Sequence, residues 1–434
     1  YDSFQLLKEI EEDEEFTPFQ DYMMGWLYAQ GLHKADMENA YIPEPSLAIE
    51  YLDRAKEANI AEAYVAHGDI LKLGRILQGD TIRAKDYYIK ALGLLNQDDL
   101  SVTEMAAKGA LNTKGRIQDS WPIAYNHYKK AAEKGYSHAM CILGQLLMEP
   151  EADELRDSTL VFKYFESAAN KGNTMGEYFL GQAYEYGIGV PVDFEKAWAS
   201  YTAAADKGYP DALCKVGEAY LYGTIGQQKD GVAAIDYLDM ASDKSNALAQ
   251  YYRGRIYEIG GLDQQPNMRD AVKLLERAAE GGESRASYLL YEYFTEGTNG
   301  LPKDQEKAIR YLEKAVRQGN TEAEYQLGYL YRHGREGVRR DHNRAGKLYK
   351  KAARKGNANA QNGLAVLYEN GDGMNRNLSK AKFWYQQAAN QGHRYAQMNL
   401  GEFYKEGKDG LIKRDSAIYW YKKAEENGAS SASQ

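Results

Sequence analysis

A glycine that returns every 36 or 37 residues constrains this chain more than any other feature. Gly144, Gly181, Gly217, Gly254, Gly328 and Gly401 hold the row, with Tyr291 and Ala365 in two of its slots. A second row keeps step: the pairs Ala131-Ala132, Ala168-Ala169, Ala204-Ala205, Ala278-Ala279, Ala352-Ala353 and Ala388-Ala389. Ala241-Ser242 and Ala315-Val316 fill the same slots imperfectly. A unit of this length is one supersecondary element that cannot bury its own apolar face, so copies must stack.

Two further rows punctuate the unit. Gly187, Gly223, Gly260, Gly297, Gly334, Gly371 and Gly407 fall where a first helix must stop, a place where a left-handed residue is cheapest as glycine. Asp80, Ser120, Asp157, Asp193, Asp230, Asn267, Asp304, Asp341 and Asn377 each precede a small or apolar position by four residues. Such side chains accept hydrogen bonds from the free amides of a helix start, worth about 1 kcal/mol each. Each unit thus reads as helix, glycine stop, short loop, capped helix. In "EKAWASYTAAADKG", Ala197, Tyr201, Ala204 and Ala205 recur at helical spacing and give one apolar stripe. The small residues let paired helix axes approach closely, whereas Tyr291 is expected to push the two helices of its unit apart. The fold class that follows is all-α: an α-solenoid, a superhelix of about eleven stacked antiparallel hairpins with a concave and a convex wall.

"AEYQLGYLYRHG" (Ala323 to Gly334) followed by "AGKLYKKAARKG" (Ala345 to Gly356) resembles the Sel-one-like repeat, a relative of the tetratricopeptide repeat. The pattern divides the chain into an acidic segment at 1–18, irregular helical repeats at 19–134, a regular solenoid at 135–428 and a tail at 429–434. Gly25, Gly68 and Gly109 mark three upstream units with longer loops.

Charge is distributed unevenly. The chain carries a net −9, but residues 301–434 hold 25 basic and 15 acidic side chains, leaving −19 for the first 300. The acidic part opens with "EIEEDEEF" (Glu9 to Phe16), whose ordinary reading is a solvated segment. No run approaches eighteen consecutive apolar residues, so the sequence contains no candidate membrane-spanning helix. Two cysteines, Cys141 and Cys214, exclude a disulfide framework and suit a reducing compartment, with the cytoplasm favoured. Because the sequence starts at Tyr1, a secretory lumen or an organelle stays open. The sequon at Asn377 would matter only in a lumen, and Asn377 has a capping position to fill.

The stretch from Tyr329 to Gly356 concentrates ten Lys and Arg against one Glu and one Asp. His333 and His342 within it belong to different helices across a loop, and neither has a ligand partner at metal-site spacing. Arg344, Lys347, Lys350, Lys351 and Arg354 lie opposite the stripe of Ala345, Leu348, Ala352 and Ala353 and form a solvent-facing ridge. Two readings stay open: an ordinary solvated face, or a docking surface for an acidic protein segment or an anionic membrane surface. Nucleic acid is disfavoured, since its binders carry basic charge over the whole domain with interleaved aromatics. "GEFYKEGKD" has the wrong spacing for a phosphate loop and Asp409 where Ser or Thr is needed. No catalytic constellation, cofactor site, metal site or small-molecule substrate site is indicated.

The resemblance implies that first helices line the inner wall, where partner segments dock. One first-helix row there reads Tyr178, Cys214, Tyr251, Tyr288, Tyr325, Asn362, Met398; another reads Glu185, Leu221, Glu258, Thr295, Arg332, Glu369, Lys405. The tyrosine row serves inter-repeat packing, partner contact or both, since a tyrosine can bury its ring and show its hydroxyl. The family implies a non-enzymatic scaffold or adaptor that binds other proteins. A stably integrated structural subunit of a large multiprotein or membrane-associated assembly is the alternative, and monodispersity of the isolated chain separates the two.

Overall fold

A computed structural model describes residues 121–149, 157–260, 266–297 and 300–430 continuously, with 45–58, 63–67 and a few isolated positions before them. The segment at 1–18, the markers Gly25, Gly68 and Gly109, the caps Asp80 and Ser120 and the residues 431–434 lie outside the described residues. Contacts divide the chain into two units, 1–209 and 210–434.

The first unit contains α1 (Pro45–Glu57), α2 (Trp121–Glu133), α3 (Ser137–Leu146), α4 (Ser158–Asn170), α5 (Thr174–Tyr186) and α6 (Phe194–Asp206). The second contains α7 (Pro210–Tyr222), α8 (Gly231–Asp243), α9 (Ala247–Ile259), α10 (Met268–Glu280), α11 (Ser284–Glu296) and α12 (Gln305–Arg317). It continues with α13 (Thr321–His333), α14 (His342–Arg354), α15 (Ala358–Asn370), α16 (Leu378–Asn390), α17 (Arg394–Glu406) and α18 (Arg414–Ser430). Among the described residues there is no strand, and within each unit consecutive helices pack as stacked hairpins. The fold is an α-solenoid.

The punctuation read from sequence works as physical chemistry requires. Asp157, Asp193, Asp230, Asn267, Asp304, Asp341 and Asn377 each accept a hydrogen bond from an amide of the first turn behind them, as Asp193 does from Lys196 N at 3.0 Å. The residue four positions after each cap is buried, from Val161 to Ala381. First helices stop at left-handed glycines such as Gly187 (φ 71°, ψ 38°). Gly260 stops α9 differently: at φ 70° and ψ −171° it occupies a region essentially closed to other residues, and a Cβ there would lie 2.6 Å from Pro266.

The central glycine row sets how closely the two helices of a hairpin approach. A Cβ at Gly181 would stand 2.7 Å from the ring of Tyr201, and one at Gly328 would stand 2.8 Å from Tyr349. Each glycine therefore receives a large second-helix side chain, and Tyr201 and Tyr349 are 0% and 1% exposed. On α14 the core residue is thus Tyr349, whereas Leu348 is only half-buried. The expected opening at Tyr291 does not occur: α11 and α12 pack as closely as the neighbouring hairpins. The reason is twofold. The facing residue is Leu312, smaller than a tyrosine, and the Tyr291 hydroxyl leaves the hairpin to accept from Gln326 Nε2 at 2.9 Å in the next repeat.

Successive repeats are joined by a row that the sequence reading overlooked. Asn173, Asn246, Asn320 and Asn357 cap first helices through Oδ1 and reach back through Nδ2 to the start of the preceding first helix. The acceptors are Ser137 Oγ at 3.1 Å, Asp211 Oδ1 at 2.7 Å, Ser284 O at 3.4 Å and Glu322 Oε2 at 2.9 Å. One asparagine thereby satisfies an orphan amide and clamps two repeats.

Candidate partner-binding surfaces

Each repeat offers two walls, one made by first helices and one by second helices. On the first-helix wall, the tyrosine row is half-buried and packed. Tyr178 lies against Tyr201 (5.6 Å between ring centres) and Tyr209, and its hydroxyl accepts from Gln182. Tyr251 sits beneath the guanidinium of Arg285 at 4.8 Å, Tyr288 tilts onto Tyr291, and Tyr325 stacks on Tyr349 at 6.0 Å. Burial raises the ionisation range of Tyr288 and Tyr325, so both hydroxyls stay neutral near neutral pH.

The second row is anchored more than its variable composition suggested. Glu185 accepts the Tyr201 hydroxyl at 2.6 Å, and Glu369 accepts that of Tyr385 at 2.6 Å. In both cases the partners are sixteen residues apart, a spacing visible in the sequence but not recognised there. Glu258 pairs with Arg255 at 2.9 Å and is 16% exposed. Arg332 is half-buried beside the Tyr349 hydroxyl, and its carbonyl lies 3.2 Å from His342 Nε2. Around Glu292, burial first and then Glu296, Glu322 and Glu258 raise the carboxyl pKa, with Arg255 opposing. The first-helix wall of these middle repeats is therefore acidic and rich in tyrosine.

The second-helix wall differs. Arg344 is exposed, donates to the Tyr331 hydroxyl at 3.1 Å and lies 3.4 Å from Asp341. Lys347, Lys350, Lys351 and Arg354 are exposed, and no hydrogen bond or ion pair engages their side chains among the described residues. The structure thus brings the ridge residues onto one helix face, remote in kind from the tyrosine row.

His333 lies tilted against Tyr329, with ring centres 4.4 Å apart, and burial followed by Arg332, Arg335 and His342 lowers its pKa. Among the described residues no three His, Cys, Asp or Glu side chains converge as a metal site, and no helix is long and apolar enough to cross a membrane. An open depression of about 440 Å³, lined by Asp211, Asn246, Gly282 and Glu283 among others, marks the starts of three successive first helices.

Stacked capped hairpins with two chemically distinct walls define a helical-repeat protein of the α-solenoid class. The family model described as the Sel1 repeat matches eleven segments: 21–60, 61–92, 122–136, 137–173, 174–209, 210–246, 247–283, 286–320, 321–357, 358–393 and 394–428. The chain belongs to the Sel1 repeat family. Among curated proteins it is similar to Chitin synthase regulatory factor 3 of Schizosaccharomyces pombe, 26% identical over 184 residues, covering 41% of this chain and 20% of that protein. It is also similar to a Putative ERAD-associated E3 ubiquitin-protein ligase component of the same organism, 28% identical over 114 residues, covering 26% of this chain and 15% of the relative. The matched region thus spans a fifth or less of these relatives. Among solved structures, the fold is shared with c5321, a protective antigen of uropathogenic Escherichia coli displaying an SLR fold. The two are 24% identical with a TM-score of 0.50, over 98% of this chain and 89% of that one.

Proposed function

We propose that this protein is a non-enzymatic scaffold or adaptor that holds segments of partner proteins along its first-helix wall. The observation that carries this reading is one position in the repeat whose chemistry changes while the packing positions around it do not. The slot four residues after the glycine row reads Glu185, Leu221, Glu258, Thr295, Arg332, Glu369 and Lys405, beside glycine and alanine rows that scarcely vary. Packing requires the constant rows; the variable slot changes size and charge from repeat to repeat, and where its carboxylate also holds a tyrosine hydroxyl, as at Glu185 and Glu369, the group is fixed in place for a partner chain. The half-buried tyrosines supply rigid rings at low entropic cost, as binding surfaces often do. Similarity to regulators of chitin synthase and to a ubiquitin-ligase component supports an adaptor role. The exposed cationic ridge on the other wall adds a surface that attracts anionic groups.

The test is affinity capture from the native source with quantitative mass spectrometry, comparing the wild type with a Tyr288→Ala, Glu292→Ala, Arg332→Ala variant of equal helical content. The proposal expects specific partners to be depleted from the variant. Unchanged recovery of every partner would remove the first-helix wall as the binding surface.

A further inference from the structure

The second helices of two adjacent repeats contain no carboxylate. α14 (HNRAGKLYKKAAR) carries Arg344, Lys347, Lys350, Lys351 and Arg354, and α16 (LSKAKFWYQQAAN) carries Lys380 and Lys382. Helix stability accounts for this arrangement only in part: Lys351 and Arg354 stand in the last turn, where cations complement the helix dipole. Lys347 faces Lys350 and Lys351 at helical neighbour spacing, and both face Arg354, so the like charges repel one another. On α12 the corresponding cations are matched: Lys307, Arg310 and Lys314 lie within 4.0, 3.2 and 2.5 Å of Glu276, Glu306 and Glu280. On α14, Lys347, Lys350, Lys351 and Arg354 are left open to solvent.

A strip of exposed apolar side chains occupies the same register one repeat further on. The position six residues after the helix cap is Lys347 on α14 and Phe383 on α16, and Phe383 is 52% exposed. On α18 the neighbouring places hold Ile418 and Tyr419, each 53% exposed, and the loop before that helix exposes Leu411 and Ile412. Carboxylates border the area from α12 (Glu306, Glu313) and α18 (Asp415, Glu425, Glu426), and two reach its edge, where Asp341 pairs with Arg344 at 3.4 Å and Asp409 with Lys382 at 2.6 Å, so that the uncompensated charge is that of Lys347, Lys350, Lys351 and Arg354.

We propose that this second-helix wall docks onto an anionic phospholipid bilayer. Lys347, Lys350, Lys351 and Arg354 lie among the headgroups, and Phe383, Ile418 and Tyr419 enter the interface. The cations alone would equally suit an acidic peptide. The apolar strip decides between them, because these side chains stand on helix crests, where a bilayer can take them up and a single peptide cannot enclose them. Attachment of this kind combines electrostatic attraction with buried apolar area and needs no spanning helix. It goes beyond the scaffold reading, since the first-helix wall stays free to hold partners at a membrane surface.

The experiment uses the full chain with vesicles of phosphatidylserine and phosphatidylcholine, vesicles of phosphatidylcholine alone, and soluble polyglutamate as the acidic-polypeptide probe. The wild type should co-sediment with the anionic vesicles and not with the neutral ones. Reversing Lys347, Lys350, Lys351 and Arg354 to Glu should lower the partition coefficient by more than about a hundredfold. Neutralising the same four to Gln, the milder variant, should lower it in the same direction. Phe383→Ser with Tyr419→Ser should lower vesicle binding by about tenfold and leave polyglutamate binding unchanged. The proposal is overturned if the anionic vesicles are not bound. It is also overturned if the Phe383→Ser, Tyr419→Ser protein binds them as tightly as the wild type, which would identify the wall as a site for acidic polypeptide.

Discussion

Replacing Gly181 by leucine tests whether the glycine row sets the closeness of the helix pairs. The first added atom, Cβ, would sit 2.7, 2.8 and 3.0 Å from Cδ1, Cε1 and Cγ of Tyr201. Carbon atoms rest about 3.5–4.0 Å apart, so the ring must retreat by about 0.7 Å or more before the rest of the leucine is placed. Tyr201 has little freedom to do so, being 0% exposed, held by Glu185 at its hydroxyl and flanked by Tyr178. Overpacking of this kind costs about 1–3 kcal/mol. Leucine recovers roughly 0.8 kcal/mol over glycine in intrinsic helix propensity. The net expectation, with the cost near its upper bound, is a destabilisation of about 2 kcal/mol. Urea unfolding followed by circular dichroism measures it, with Lys350→Leu as the control because Lys350 is an exposed helix position. Long repeat arrays can unfold in stages, so the comparison is of the first transition midpoint under identical conditions. Equal midpoints for the two variants would refute the assignment of Gly181 to the hairpin interface.

Arg253 occupies a slot that is Leu290, Leu327, Leu364 and Leu400 in later repeats. It is 3% exposed, with Nη2 3.2 Å from Asp239 and Nη1 buried without a hydrogen bond. Arg253→Leu should be neutral or stabilising in thermal denaturation, whereas Asp239→Ala, which leaves the buried guanidinium with the hydroxyl and ring of Tyr257 and no carboxylate, should destabilise by about 1–4 kcal/mol. Asn357→Ala should cost about 1 kcal/mol in urea unfolding through loss of the cap, and Asn357→Ser, which keeps the cap but not the reach to Glu322, should cost less. Burial pushes the Cys141 thiol up to about 12 and also raises that of Cys214, so the protonated forms dominate at pH values well below this range. Iodoacetamide near pH 8 should therefore leave both thiols intact in the native protein and modify both in denaturant, as read by intact-mass spectrometry.

Much of the fold was legible because its determinants are local and repeated. A glycine at a helix stop or an aspartate at a helix start acts within one turn, and Gly187 and Asp193 behave as their positions dictate. Tyr291 was misjudged because its consequence depends on a side chain 21 residues away, Leu312, and on an outlet toward Gln326 in the next repeat. The Asn173-type clamp escaped notice for a similar reason: the capping oxygen is a local feature, but the amide's reach to Ser137 is tertiary. The candidate surfaces were half legible. Exposure of the α14 ridge follows from helical periodicity, whereas the anchoring of Glu185 and Glu369 depends on hydroxyls presented by another helix.

The measurement that bears most directly on the scaffold reading is a photo-crosslinking scan in the native source. A photoreactive residue is placed in turn at Tyr251, Tyr288, Glu292 and Arg332 on the first-helix wall of the second unit, and at the exposed Asp236 of α8 and Lys273 of α10 on its second-helix wall. The account predicts discrete protein adducts from the first set that share the same few partners, and none of those partners from the second. Adducts to those partners from Asp236 and Lys273 alone would contradict it and move protein recognition to the opposite wall.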